Sequence, residues 1–258
     1  MKQRIIDIIT EVGIKDVGFC AFSQLEDRLI DCRAKNRIPQ NAKSVITCLF
    51  PYKVREAAPQ NISRYAAVPD YHKICGEYLK KACAELSKHI DRCRFEFFVD
   101  NSPIPEVYAA AISGLGVIGK NRLLITEKYG SFVFIGEIIT DLDLKLENKD
   151  PKFCKDCGIC MRVCPKEKLG DCLSNISQKK GELEADELAA LRKHNIVWGC
   201  DICSEVCPEN KNAQITYIKE FIDGYRDKFC LDEDISGRAY EWRGTKPVMR
   251  NLLNLEKD

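Results

Sequence analysis

The amino-acid sequence predicts an N-terminal domain of mixed α/β (α+β) class, followed by a ferredoxin-like, cysteine-rich domain and a helical C-terminal segment. Over the first 150 residues, stretches with apolar residues three and four apart alternate with short β-branched and aromatic runs. A charged connector, LDLKLENKDP, follows at residues 142–151. Eight of the 15 cysteines then lie between Cys154 and Cys207. We therefore place the domains at residues 1–149, 150–212 and 213–258.

Local patterns predict the elements of the first domain in chain order. Ile5, Ile9 and Val12 recur at helical spacing, and Gly13 is placed to end that helix. Runs of β-branched and aromatic residues predict strands at 16–22, 44–50, 94–100 and 131–139. Helical spacing recurs at 70–90 and 105–113, and Pro247 is expected to open a short C-terminal helix. This order indicates helices packed on a central sheet.

Composition limits the functional class. Charged residues make up 31% of the 258 residues and nearly cancel, with a formal net charge of +1, so the chain as a whole has no electrostatic footprint for nucleic acid and leaves room only for a local basic face. We expect no DNA partner. No apolar run approaches the roughly 20 residues that span a bilayer, and the first residues lack the apolar core of a signal peptide. We expect a cytoplasmic protein without a membrane partner. Because disulfide scaffolds are typical of short secreted chains, 15 cysteines point instead to metal or cluster binding.

The cysteine spacing is specific. Residues 154–165 read C-x2-C-x2-C-x3-C-P, the bacterial ferredoxin run, whose first three thiolates bind one [4Fe–4S] cube while the fourth binds another. Residues 200–208 repeat part of it as C-x2-C-x3-C-P. With one cysteine between the runs, eight ligands complete two cubes. Crossed ligation assigns Cys154, Cys157, Cys160 and Cys207 to one cluster, and Cys164, Cys172, Cys200 and Cys203 to the other.

Zinc is the alternative, because four-cysteine zinc sites also use C-x2-C pairs. Three closely spaced sulfurs followed by a diverted fourth suit a cube better than a tetrahedral ion. The remaining cysteines are scattered singly and are expected to be small buried apolar side chains: Cys20, Cys32, Cys48, Cys75, Cys83, Cys93 and Cys230.

A glycine pattern, GLGVIG at residues 114–119, matches the dinucleotide-binding fingerprint, which needs a strand before it and a helix after it. Here the preceding segment is predicted to be helical and the following one extended. We therefore expect a tight loop in which the backbone approaches another group closely.

One carboxylate stands at a strand end: Asp100 closes an apolar strand and begins the sequence DNSPIPE. Such a residue commonly caps the next helix. It could equally be a proton donor whose pKa is raised by burial. Local pattern alone leaves both readings open.

Several segments together resemble the epoxyqueuosine reductase family, cobalamin- and [4Fe–4S]-dependent enzymes of queuosine biosynthesis. They are SRYAAVPDYHKICGEYLKK, FVDNSPIPE, GLGVIGKNRLL, GSFVFIGEIITDLDL, the first cysteine run, DCLSNIS and GCDICSEVCP, in that order over roughly residues 63–210. The resemblance is to a short form without the family's C-terminal helical-repeat extension.

The resemblance implies a cobalamin in the first domain, and two clusters that pass single electrons to it. It implies reduction of epoxyqueuosine to queuosine in tRNA, or of a related substrate, with Asp100 as the proton donor. A low-potential donor of ferredoxin or flavodoxin type would supply the electrons. Candidates to contact the cofactor or line its pocket are Arg64, Tyr65, Tyr71, His72, Gly114, Gly116, Gly119, Lys120 and Asn121.

Two rival functions share the clusters. A ferredoxin-like electron-transfer protein would bind no cobalamin and turn over no substrate. A corrinoid-activating reductase would contact cobalamin only transiently, on a partner protein, and would have no substrate of its own.

Overall fold

A computed structural model describes residues 1–256, so the last two residues of the predicted C-terminal segment lie outside the described residues. The chain forms two compact units, and each is treated by itself. The first combines residues 1–51 with 72–156, and the second combines residues 52–71 with the chain from residue 157 onward. Residues 52–71 thus group with the C-terminal half, whereas the predicted domain boundaries place them in the first domain, residues 1–149.

The described residues contain eleven α-helices. They are α1 Lys2–Val12, α2 Arg64–Ala67, α3 Tyr71–His89, α4 Glu106–Ile112, α5 Ile159–Val163, α6 Lys166–Leu169, α7 Leu173–Gln178, α8 Ala185–Lys193, α9 Ile202–Glu205, α10 Lys219–Asp223 and α11 Thr245–Leu255. Short 3-10 helices lie at Phe22–Gln24, Glu26–Arg28, Arg33–Arg37, Pro208–Asn210 and Glu241–Arg243. Within residues 1–256, none of the helices combines the length and the apolar character needed to cross a membrane.

Six strands complete the secondary structure: β1 Asp16–Ala21, β2 Ser44–Pro51, β3 Phe95–Val99, β4 Val117–Ile118, β5 Leu124–Ile125 and β6 Val133–Thr140. Four of them form one sheet in the order β1-β2-β6-β3, with every neighbouring pair antiparallel. β4 and β5 form a separate two-stranded hairpin. The mixed α/β class is confirmed, and the antiparallel pairing makes the first unit an α+β fold.

The central strands β2 and β6 are buried on both faces. All eight residues of β2 are buried. On one face Val45 and Ile139 pack with Ala109 and Ile112 of α4, which crosses β1, β2 and β6. Alternation along β6 therefore places Glu137, two residues before Ile139, on the face covered by α4.

The predicted end of the first helix matches the structure, whereas the predicted start of the last helix does not. α1 ends at Gly13, whose φ of 110° lets its N–H reach the carbonyl oxygens of Ile9 and Thr10. The predicted start of the last helix at Pro247 is wrong, since α11 begins at Thr245. Proline is tolerated there because the first four N–H groups of a helix have no intrahelical acceptor.

The second unit consists of short helices and loops around two apolar clusters. Trp198, Phe229, Tyr240 and Val248 are all at most 2% exposed and centre the first cluster, which α11 covers. The second is built by α7 and α8 and consists of Leu173, Ile176, Leu183, Leu191 and Ile196. Described residues 52–71 and 157–256 contain no extended strand, only isolated bridges such as Ile62 with Trp198.

We expect Gly199→Ala to destabilise the second unit. Gly199 has a φ of 71°, and an added Cβ would lie 1.9 Å from Ser63 Oγ and 2.9 Å from Tyr65 Cε1. Gly181→Ala is the matched control, with a φ of 79° and nothing within 4 Å of the added atom. The control should cost about 1–2 kcal/mol of unfolding free energy through backbone strain alone, and Gly199→Ala about 1–3 kcal/mol more through overpacking. Urea unfolding of both variants measures the difference, and equal losses would contradict the clash.

Candidate functional site

The two cysteine runs form a structural repeat in the second unit. Residues 159–165 and 202–208 share the pattern I-C-x-x-V-C-P. Cys160 and Cys203 lie in the short helices α5 and α9, which pack against each other. Cys164 and Cys207 follow those helices in matching extended conformations, with ψ of 124° and 122°. In each run the helix carries one cysteine, Cys160 or Cys203. A second cysteine follows the helix, and the proline directly after that cysteine turns the chain away.

The sulfurs group across the repeat. Burial raises the pKa of Cys207, and the charges of Cys157 and Cys160 add to that rise, so these three thiols are neighbours. Burial also raises the pKa of Cys200 to about 12, with Cys172 and Cys203 contributing. Cys207 therefore neighbours the first run although it belongs to the second. This proximity fits the crossed ligand assignment, which stays a prediction.

Cys154 belongs to the first unit. Its Sγ accepts a hydrogen bond from the backbone N–H of Lys120 at 3.4 Å. Lys120 Nζ forms an ion pair with Asp156 Oδ1 at 2.6 Å. Across the part of the chain that the structure describes, no three His, Cys, Asp or Glu side chains converge as closely as a single metal ion requires.

Arg64 forms hydrogen bonds with two acidic residues of the second cysteine run. It is 5% exposed, and its backbone N–H donates to Asp201 Oδ2 at 2.5 Å. Its guanidinium pairs with Glu205 at 2.6 Å and also donates to three backbone carbonyl oxygens. All five guanidinium N–H groups are thereby used within the second unit. This is a different role from the cofactor contact that the sequence suggested.

Tyr65 lies beside Arg64 in the same unit. Burial raises the pKa of Tyr65 to about 12, and its hydroxyl accepts a hydrogen bond from Gln178 Nε2 at 3.4 Å. The side chain packs on the apolar cluster around Trp198. Tyr71 is partly buried at the start of α3, and its place in a pocket stays a prediction.

The glycine pattern forms the approach to the β4–β5 hairpin, preceded by α4 and not by a strand. The expectation of a tight loop instead of a dinucleotide fold is confirmed. At Gly116 a Cβ would lie 2.5 Å from the carbonyl oxygen of Ile125, so the two hairpin strands need glycine there. Gly119 closes the turn through its N–H to the carbonyl oxygen of Leu123 at 2.8 Å. At Gly114 nothing lies within 4 Å of the position of an added Cβ.

Asn121, in the hairpin turn, has an unused donor. Its Oδ1 accepts from the N–H of Leu123 at 3.3 Å, while its Nδ2 is buried without a hydrogen-bond partner among the described residues. A buried polar atom without a partner costs free energy unless something supplies an acceptor. Cobalamin carries amide and phosphate acceptors on its periphery. The hairpin of the first unit therefore fits such a group, with the open side of Gly114 available to it.

Asp100 lies at the end of β3 with a φ of 57°, a conformation that few non-glycine residues adopt. Its Oδ2 contacts Nε2 of His72 at 3.0 Å, and the two side chains are 55% and 37% exposed. α4 begins after Pro105 without a side-chain cap, so Asp100 does not cap the next helix. The capping role that local pattern allowed is therefore wrong, and the role of Asp100 as a proton donor stays a prediction.

Two further carboxyls lie deeper in the first unit. Glu137 is 0% exposed on β6, directly opposite Thr47 of β2 and Phe98 of β3. Glu106 is the first residue of α4, the helix that covers this face of the sheet. Neither oxygen of Glu137, nor Oε2 of Glu106, has a hydrogen-bond partner among the described residues. Unpartnered buried carboxyls of this kind are typical of functional sites.

The two carboxyls hold protons at neutral pH. Burial raises the pKa of Glu106 to about 8, with the charge of Asp100 adding to the rise and His72 opposing it. Burial raises the pKa of Glu137 well above its ordinary range, with Glu106 and Asp100 adding and the Ser102 hydroxyl opposing. Asp100, His72, Glu106 and Glu137 therefore form one electrostatically linked group. Sequence reasoning missed the two glutamates, although a glutamate inside the apolar strand FVFIGEII was a usable signal.

We expect Glu106→Gln to flatten the pH dependence of stability. The ordinary pKa of a glutamate is about 4.3, so from there up to a pKa of about 8 the folded protein keeps a proton that the unfolded chain releases. Stability is therefore highest below the unfolded pKa and falls as pH rises towards 8, by at most about 1.4 kcal/mol per pH unit for this group. Urea unfolding between pH 5 and 8 should show a shallower slope in the variant. Parallel slopes for the variant and for Glu77→Gln, an exposed control on α3, would contradict the assignment.

Comparison with known proteins finds a family model and relatives that share the name epoxyqueuosine reductase. Residues 33–101 match the family model described as epoxyqueuosine reductase QueG, DUF1730. The epoxyqueuosine reductase of Gloeobacter violaceus is 37% identical over 184 residues, which cover 67% of this chain and 58% of that protein. The epoxyqueuosine reductase of Leadbetterella byssophila is 33% identical over 218 residues, covering 81% of this chain and 71% of that protein.

Solved structures agree in fold. The epoxyqueuosine reductase of Streptococcus thermophilus superimposes with a TM-score of 0.80 at 23% identity, covering 99% of this chain and 80% of that one. An epoxyqueuosine reductase crystallised with a tRNA-Tyr epoxyqueuosine-modified stem loop gives a TM-score of 0.80 at 23% identity, with coverages of 98% and 80%.

Proposed function

The chain belongs to the epoxyqueuosine reductase family, and we propose that it reduces epoxyqueuosine to queuosine in tRNA by means of two [4Fe–4S] clusters and cobalamin. The substrate follows from the family. The redox machinery rests on one observation, the doubled I-C-x-x-V-C-P run in which Cys207 neighbours Cys157 and Cys160.

The reaction has a simple balance. Converting an epoxide to an alkene removes one oxygen atom as water, which consumes two electrons and two protons. Two one-electron carriers match the electron count, and both protons must reach the departing oxygen. Asp100, which is half-exposed and held against His72 at 3.0 Å, is the group placed to deliver them.

The cluster ligands we propose are the eight cysteines of the two runs and the segment between them: Cys154, Cys157, Cys160 and Cys207 for one cube, Cys164, Cys172, Cys200 and Cys203 for the other. Arg64 holds the second run through Asp201 and Glu205. Cobalamin would be held by Asn121 Nδ2, by Lys120 and by the open side of Gly114. When bound, these groups supply single electrons and a low-valent cobalt. The protein's own residues position the epoxide, exclude water and move the protons.

The partners follow from the same chemistry. We propose that the epoxyqueuosine is presented in a tRNA stem loop, as in the crystallised relative named above. The net charge of +1 means that any contacts with the nucleic acid are local and not spread over the chain. Electrons would come from a low-potential donor of ferredoxin or flavodoxin type.

Metal content tests the cofactors. The protein is expressed without oxygen, reconstituted with iron and sulfide, incubated with cobalamin, desalted, and assayed for iron and cobalt. We expect about eight irons for two cubes and one retained cobalt per chain. Eight irons without cobalt would leave an electron carrier and overturn the cobalamin part of the proposal.

A point variant sharpens this test. Asn121→Asp keeps the oxygen that accepts from Leu123 but removes the unused amide donor. We expect it to retain less cobalt at unchanged iron. Unchanged cobalt would remove Asn121 from the proposed contacts.

A further inference from the structure

The proposed reaction consumes two protons, but the Asp100 carboxyl can hold only one proton at a time. Asp100 is 55% exposed and contacts His72. Once Asp100 has given its proton to the departing oxygen, its carboxylate must take up another proton before it can deliver a second one. The second proton therefore needs a group that keeps it at neutral pH and lies within the same linked site.

Glu106 and Glu137 have the required placement. Glu137 is fully buried in the centre of the sheet, and Glu106 opens the helix that covers it. Three of their four carboxyl oxygens are buried without a hydrogen-bond partner among the described residues. Both carboxyls are buried on the face of the sheet that α4 covers, and the charge of Glu106 acts on Glu137, so ionising both is unfavourable and the pair keeps protons that exposed glutamates would release.

Among the groups that shift the pKa of these two carboxyls, only His72 can carry a positive charge. On the neighbouring strands, the charge of Glu137 acts on Cys20 of β1 and Cys48 of β2. Burial raises the pKa of both thiols, so both stay neutral. From α4 and the neighbouring segments, the pair is faced by Asp100, His72 and the Ser102 hydroxyl. Ser102 is 4% exposed, and its Oγ accepts from the N–H of Ile104, which leaves the hydroxyl hydrogen available to Glu137.

We propose that Glu106 and Glu137 together store one proton and supply it, through Asp100, as the second proton of the reduction. Both are positioning residues, since they act through Asp100, and the inference rests on the function proposed above. In the transfer, an O–H bond of the glutamate pair breaks and an O–H bond forms on the Asp100 carboxylate, which has given its first proton to the departing oxygen. No electron moves in this step. The singly charged pair that remains takes up a proton from solvent before the next turnover.

A structural role alone explains the pair poorly. A glutamine at either position would have the same shape without the cost of burying an ionisable group. Buried unpartnered carboxyls lower stability, and sites that keep them commonly use their shifted titration.

The test has one readout that requires turnover and one that does not. First, the pH dependence of turnover is measured for the loaded wild type, Glu106→Gln, Glu137→Gln and the exposed control Glu77→Gln. Wild type and control should keep their rate up to about pH 8, the pKa of Glu106. Both glutamine variants should lose rate at least about one pH unit earlier and approach the wild-type rate in acid, where solvent supplies the proton. An unchanged pH limb, or an equal loss at every pH, would overturn the proposal.

Second, infrared difference spectra of the protein without substrate follow the carbonyl stretch of protonated carboxyls. The wild type should show this band at pH 7 and lose part of it near pH 8, and the band should be weaker in each glutamine variant. Absence of the band in folded wild-type protein at pH 7 would overturn the proton store directly. If the band is present but epoxyqueuosine is not reduced, the proposed function fails while the protonated pair stands. Circular dichroism of both variants verifies folding, and either variant alone suffices for the comparison.

Discussion

Replacing Asp100 with asparagine is expected to lower the turnover of epoxyqueuosine by about 10²- to 10⁴-fold, the usual contribution of a general acid. Asparagine keeps the size of the side chain and can still contact His72, but it has no acidic proton to deliver. Asp100 is half-exposed and does not cap α4, so the change should leave folding intact. Steady-state kinetics under anaerobic conditions measure the loss.

Iron and cobalt contents serve as the control for Asp100→Asn, and both should match the wild type. The exposed Asp91→Asn variant, in the loop before β3, should keep full activity. Turnover of Asp100→Asn within about threefold of wild type would remove Asp100 from the mechanism. A loss of cobalt in parallel with activity would instead indicate a role in binding the cofactor.

Replacing Cys160 or Cys203 with serine should each remove one cluster. The two residues occupy the same position in the repeat, on α5 and α9, but crossed ligation assigns them to different cubes. Serine is a poor ligand for iron in such clusters, which select soft thiolates. Each variant should fall from about eight to about four irons per chain and lose turnover, and the double variant should hold almost none.

Cys230→Ser is the matched control, because Cys230 is a cysteine of the same unit outside both runs and is exposed, so its predicted burial is wrong. It should keep all its iron and its activity. A zinc content of two per chain in the wild type, unaffected by reconstitution with iron, would contradict the cluster assignment. Loss of all iron in either single variant would show that the two sites do not load independently.

The sequence predicted well those features that depend on local pattern. Every strand of the large sheet lies within about two residues of its predicted position, because β-branched and aromatic runs of β2 and β6 bury both faces. The tight loop after α4 followed from glycines with a helix before them and extended residues after, whereas the β4–β5 hairpin that it enters was not predicted. The cysteine runs were recognised from their spacing alone.

Features that depend on contacts between distant residues were missed. The segment 52–71 joins the second unit because Arg64 pairs with Asp201 and Glu205, more than 130 positions away, which no local periodicity records. The contact of Arg64 with the cofactor, which the family resemblance implied, stays a prediction. Glu137 was read as one residue of a buried strand, and only the fold shows that α4, which begins at Glu106, covers the face of the sheet on which Glu137 lies.

The most direct test of the account is the conversion itself. Iron-loaded protein, a strong reductant and an epoxyqueuosine-containing tRNA stem loop are incubated without oxygen, with and without cobalamin, and the nucleosides are analysed by mass spectrometry. We expect queuosine, in multiple turnovers, only when cobalamin is present. Formation of queuosine without cobalamin, or none at all from protein that holds both clusters and cobalt, would contradict it.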